Sequence, residues 1–188
     1  EDGQPWRQDV SGQVSRRIGA AAGISAALLL GSLPAAAHVT VQPKEAPADS
    51  YFQLAFSVPH GCDGSATVAL RVKLPDGILS AKPQMKPGWN VEIKTKKLAT
   101  PLAGPHGGTI SEVVDEVAWR GGPLPDNLYD TFGMILRLPD KAGQNLYFPI
   151  VQECEKGVHR WIEIPANGQS ADKLREPAPF IRLKAKGQ

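Results

Sequence analysis

The 188-residue sequence contains two cysteines, two methionines, few aromatic residues and almost no excess charge. Lys plus Arg number 21 against 19 for Asp plus Glu, and a net charge of +2 gives no electrostatic basis for binding nucleic acid. No two of the four histidines form an H-x-x-x-H pair, so the short-range zinc motifs are absent. G-x-S-x-G, P-loop and dinucleotide fingerprints are also missing, which leaves hydrolase and nucleotide chemistry without an anchor. Beyond residue 37 no segment carries a 3.6-residue apolar stripe, which excludes a helical bundle or coiled coil.

What the chain does contain is turn chemistry, with 19 Gly and 17 Pro. Between the turns run short segments of period-two alternation, the signature of half-buried strands. Strands are expected near 38–42, 51–58, 66–74, 89–97, 110–119, 129–138, 146–153, 159–164 and 179–184. Residues 98–109 and 165–178 read as the longest loops, and the Gly107-Gly108 and Gly121-Gly122 pairs as structural turns. Strands at this spacing predict one all-β domain, an antiparallel β-sandwich of immunoglobulin or fibronectin type.

The N-terminal region has a different character. Arg16-Arg17, an apolar run from Ile18 to Leu33 and the Ala35-Ala36-Ala37 ending form the three-part layout of a secretory signal with an A-x-A cleavage site. The apolar run is short for a membrane span and contains Gly and Ser. The sequence therefore divides into an N-terminal extension and signal peptide at 1–37, a sandwich at 38–184 and a polar tail at 185–188. A periplasmic or otherwise exported product is expected, with 151 residues, an unchanged net charge and no span in its mature part.

Cleavage there makes His38 the first residue, followed by Val39-Thr40-Val41-Gln42-Pro43. A terminal histidine can chelate one ion through both its α-amino group and its ring Nδ1, an arrangement called a histidine brace. Nitrogen donors of this kind suit Cu(II), the most tightly held of the first-row divalent ions. An α-amino group titrates at roughly pH 7.7 to 8.0, so a metal displaces its proton near neutrality. Met85 and Met134 are too few for a thioether-based Cu(I) site.

Cys62 and Cys154 both lie after the cleavage site, and in an exported chain an isolated pair points to a disulfide. A reduced thiolate site for Cu(I) is the alternative. The bridge would draw the His60 loop toward Gln152-Glu153-Cys154. Among the aromatic residues, Trp161 falls between His159 and Glu163 on one face of the last-but-one strand, where polar neighbours suggest a site lining. His106 sits in a Gly104-Pro105-His106-Gly107-Gly108 turn and reads as an exposed loop residue. The acidic pairs Asp115-Glu116 and Glu153/Glu155 read mainly as a solvated strand face.

Taken together, His38-Val39-Thr40-Val41-Gln42-Pro43-Lys44, Pro83-x-x-Lys86-Pro87-Gly88-Trp89 and Glu116-Val117-Ala118-Trp119 resemble the YcnI-like copper-binding domain family. The Val58-Pro59-His60-Gly61-Cys62-Asp63-Gly64 block and the run from Phe148 to Trp161, with Cys154 and Gly157, resemble its disulfide-bearing Gram-negative branch. The likeness spans about residues 38–184. It implies an exported β-sandwich that binds Cu(II) through a single-histidine brace at His38, with Trp161 beside the metal. The family also implies a carboxylate ligand after the Val-Pro pair, where this chain has His60 instead. His60 or Glu153 is thus the candidate third ligand, His60 favoured by position.

These readings predict a copper carrier or chaperone rather than an enzyme, exchanging its ion with copper-trafficking proteins or a membrane copper transporter. Two alternatives stand beside it. One is a copper-dependent oxidase of the polysaccharide-cleaving monooxygenase type, for which the chain is short and its aromatic surface meagre. The other is a structural or adhesion sandwich in which His38 has no metal role.

Overall fold

The computed structural model describes residues 38–104, 107–167, 169–170 and 173–186. The signal peptide expected at 1–37 and His106 lie outside the described residues. Among the described residues the chain forms twelve strands and no α-helix. In chain order these are β1 (Thr40–Gln42), β2 (Glu45–Pro47), β3 (Tyr51–Val58), β4 (Thr67–Lys73), β5 (Ser80–Pro83) and β6 (Trp89–Ala103). They continue as β7 (Thr109–Leu124), β8 (Asp130–Arg137), β9 (Asn145–Tyr147), β10 (Ile150–Cys154), β11 (Val158–Trp161) and β12 (Phe180–Lys184).

Two antiparallel sheets dominate, one in the order β1-β3-β8-β5 and one in the order β11-β10-β4-β7-β6. A smaller sheet, β2-β12-β9, contains a parallel pairing of β2 with β12. Alternation along β3 and β8 turns Leu54, Phe56, Val58, Phe132, Met134 and Leu136 inward, none more than 1% exposed. Leu70, Val72, Val117 and Trp119 of the five-stranded sheet are equally buried. The two inner faces meet where Trp119 packs edge-on against Phe132, ring centroids 5.5 Å apart. Each such side chain contributes about 1.5–3 kcal/mol on burial. The buried cluster runs from Val39 to Leu183, so the region predicted to be mature carries this core within itself.

Three sequence expectations change. The 98–109 loop is instead the end of a long hairpin, because β6 and β7 stay paired as far as Ala103 and Thr109. Pairing slips between Lys97 and Leu102, around Pro101, which has no N–H to give the ladder. The strand expected at 146–153 divides at Phe148-Pro149, with β9 pairing to β12 and β10 to β4 and β11. Phe148 is fully buried at this crossing between sheets. Gly121-Gly122 is no turn but part of β7, where a Cβ on Gly122 would come within 2.5 Å of the Trp89 ring. Among the described residues no helix is long and apolar enough to cross a membrane.

Candidate metal site at one end of the sandwich

His38 lies just ahead of β1. The β1–β3 register pairs Thr40 with Ser57, and carrying it on by two residues sets His38 opposite Pro59. The first strand therefore approaches the Val58-Pro59-His60 corner, as its sequence suggested. The His38 ring is partly buried and packs edge-on against Trp161, centroids 5.4 Å apart. No hydrogen bond engages that ring among the described residues. Its flank borders a hollow of about 250 Å³ walled by Val39, Val41, Pro177, Pro179 and Phe180.

His60 occupies a corner held from several sides. Its carbonyl accepts a hydrogen bond from Gln152 Nε2 at 2.7 Å, and the next N–H, on Gly61, donates to Asp126 Oδ1 at 3.0 Å. Cys62 and Cys154 are joined in a disulfide with Cα atoms 6.0 Å apart, which ties the corner to the end of β10. Within the corner Cys62 and Ser65 exchange both backbone hydrogen bonds at 2.9 Å. That turn leaves no room for a side chain at Gly61, whose Cβ would lie 1.9 Å from the Ser65 carbonyl oxygen.

The third component is β11. It pairs with β10 so that Trp161 stands opposite Ile150 and His159 opposite Gln152. Alternation then puts Gln152, His159 and Trp161 on the inner face. The polar neighbours that mark Trp161 as a site lining also imply a wet face, and the structure corrects this, since Trp161 is only 3% exposed and belongs to the core. Its indole N–H donates to Gln152 Oε1 at 3.0 Å. Glu163 lies beyond the strand, where its carboxylate accepts the Glu176 N–H at 2.9 Å.

The aromatic contacts form an ordered series. His60 meets His159 at 6.2 Å, His159 meets Trp161 at 4.9 Å, and Trp161 meets His38 at 5.4 Å. No ring contact joins His38 directly to His60 among the described residues. His60 and His159 both have Nδ1 committed, in His60 to the Gly61 carbonyl at 2.6 Å and in His159 to Glu176 Oε1 at 2.8 Å. Carbonyl and carboxylate oxygens accept, so in each neutral ring Nδ1 carries the hydrogen and Nε2 keeps its lone pair.

Glu153 is not brought to this cluster. It pairs with Val158 on the opposite face of β10, where Arg71 and Arg120 donate to its two carboxylate oxygens at 3.3 and 3.1 Å. The same charged face includes Glu116, whose carboxyl is held below its ordinary value, chiefly by the hydrogen bond from Arg71. Glu116 and Glu153 thus serve as ion-paired charges on a strand face. Among the described residues no group of three or more His, Cys, Asp or Glu side chains is placed to hold a metal ion. A metal held at His38 would therefore have, among the described residues, at most one further His, Cys, Asp or Glu side chain beside the nitrogens of His38 itself.

Two residues that the sequence reading left without a role organise this end. Gln152 is fully buried and makes three hydrogen bonds, to the His60 carbonyl, to Thr67 Oγ1 at 2.8 Å and to Trp161. A buried amide persists only with its hydrogen bonds made, so it fixes the spacing of the pieces it joins. The signal was legible: Gln152 is the polar member of the inward series Ile150, Gln152, Cys154. Glu176, which orients His159 and also accepts the Arg160 N–H at 3.1 Å, arrives from a loop and left no local signal.

No curated protein matches this chain. Among solved structures it is similar to an uncharacterized protein from Nocardia farcinica whose crystal structure reveals an immunoglobulin-like fold. The two share 24% identity and a TM-score of 0.59, over 78% of this chain and 98% of that one. This likeness supports the immunoglobulin-like assignment of the sandwich and speaks to fold alone. Residues 38–183, beginning at the histidine that opens the domain and ending within the last strand, match the family described as Domain of unknown function (DUF1775), and the chain belongs to that family.

Proposed function

We propose that the exported, processed protein is a Cu(II) carrier of the YcnI-like kind, holding its cargo through a brace formed by the α-amino group and ring of His38. The observation that carries this reading is the setting of His38. It is the residue at which the family match begins, its ring has no hydrogen bond among the described residues, and Trp161 packs against one edge of it.

The physical logic is one of partial coordination. Two nitrogens from one residue bind Cu(II) without filling its tetragonal sphere, and the remaining positions stay open to water or to a donor from a partner. Trp161, anchored by Gln152, fixes the ring and shields one side of it from solvent. An ion held this way can leave by ligand exchange, as a carrier requires. The apolar hollow beside His38 offers a surface for a trafficking protein to approach the metal. Glu153 has no part in this reading because two guanidinium groups hold it on the far face.

The test compares Cu(II) affinity and electron paramagnetic resonance spectra for protein beginning at His38 and for protein with one extra residue before it. The added residue turns the amine into an amide. The expected outcome is one tight equivalent in the first form and a clear loss of affinity with changed nitrogen coupling in the second. Equal binding by both forms would refute the brace.

A further inference from the structure

We infer that His60 and His159 form a second metal-binding site, a two-imidazole site for Cu(II), linked to His38 through the Trp161 indole in the series of ring contacts. The first observation is tautomeric. Each ring is oriented by an acceptor on Nδ1, the Gly61 carbonyl for His60 and the Glu176 carboxylate for His159, which leaves Nε2 of both with a free lone pair. Hydrogen bonding of the non-ligating nitrogen to a carbonyl or carboxylate is the arrangement that orients metal-bound histidine and raises its basicity.

The second observation is spacing. The ring centroids lie 6.2 Å apart and their planes are inclined at 83°. Two imidazoles holding one ion from opposite sides, through metal–nitrogen bonds of ~2.0 Å, have centroids about 6 Å apart. The centroid separation of the pair thus matches that of two imidazoles held trans on a tetragonal ion.

Rigidity is the third. His159 sits in β11, paired opposite Gln152, and the same Gln152 holds the carbonyl of His60. One buried residue thus ties both halves of the pair together, through its side chain to His60 and through strand pairing to His159, and the disulfide closes the corner from the other side. The spacing is built into the core.

In the ring series the pair lies on the other side of Trp161 from His38, so an ion leaving the brace has a second landing point within the same end of the sandwich. That use as a landing point rests on the carrier reading. The imidazole pair itself does not, because neither ring depends on a free N-terminus.

The test uses protein with one residue added before His38, in which the brace is blocked, and titrates it with Cu(II) alone. One saturable equivalent is expected, with electron paramagnetic resonance coupling to two imidazole nitrogens. His60→Gln or His159→Gln should each abolish it. Glu176→Gln should weaken it about tenfold while preserving the two-nitrogen coupling. Circular dichroism of each variant separates loss of a ligand from loss of fold. No saturable binding, or binding that survives His60→Gln and His159→Gln together in folded protein, would overturn the site. The double variant beginning at His38 keeps its brace copper if the carrier reading holds, so failure of either idea is visible without the other.

Discussion

The indole N–H of Trp161 donates to the side-chain oxygen of Gln152, and this one bond couples the ring beside His38 to the strand that holds the His60 corner. Substituting either partner therefore has effects beyond its own packing.

For Gln152→Leu, three hydrogen bonds disappear and the Trp161 N–H loses its partner in a buried site. Leaving buried polar groups unpaired costs about 1–3 kcal/mol for each group. A fall in stability of about 2–4 kcal/mol is expected from urea unfolding, together with broadened NMR signals from His60.

Trp161→Phe keeps an aromatic ring against His38 but removes the N–H donor. Stability should fall by about 1–2 kcal/mol, the cost of leaving the Gln152 oxygen unsatisfied. If copper binds at His38, its quenching of tryptophan fluorescence should largely vanish in this variant, since Trp161 is the indole in contact with that ring. Quenching equal to that of the parent protein would place the ion elsewhere.

The disulfide closes a long loop, with 92 residues of separation between Cys62 and Cys154. Chain entropy predicts a loss of about 4–5 kcal/mol on replacing both cysteines with serine. The His60–His159 site should weaken more than the brace, because the corner bearing His60 is what the bond restrains. Parallel Cu(II) titrations of the brace-blocked and processed forms would read the difference.

Acid should loosen the outer face of the five-stranded sheet. Glu116 is held below its ordinary value of 4.5 chiefly by Arg71, and Asp115 below 3.8 chiefly by Lys73. A lowered carboxyl contributes stability that is complete above its ordinary value and is lost as pH falls through the lowered one. The urea midpoint should therefore decline below about pH 4.5, and Glu116→Gln should make that decline shallower.

Much of this arrangement was legible in the residues themselves. Period two located β3, β4, β8 and β12 nearly to their ends, because one face of each strand is buried. The extra strands β2 and β5 escaped notice, being three and four residues long and too short for alternation to register. The cysteines correctly announced their pairing, and the first strand its approach to Pro59. What could not be read locally was side-chain partnership across the fold. Trp161 looks solvent-facing because its sequence neighbours are polar, whereas in the fold it joins the core and packs against His38 and His159. Glu176 found His159 from a loop 17 residues away.

Consecutive residues on β10 look in opposite directions, and this separates two kinds of chemistry by the thickness of a single sheet. Gln152 serves the histidine end, while Glu153 ties Arg71 to Arg120 across the outside. The strand thus behaves as a partition: salt that screens the outer charges should leave the inner cluster undisturbed. Changes at these two neighbouring positions should combine almost additively, as though they were far apart.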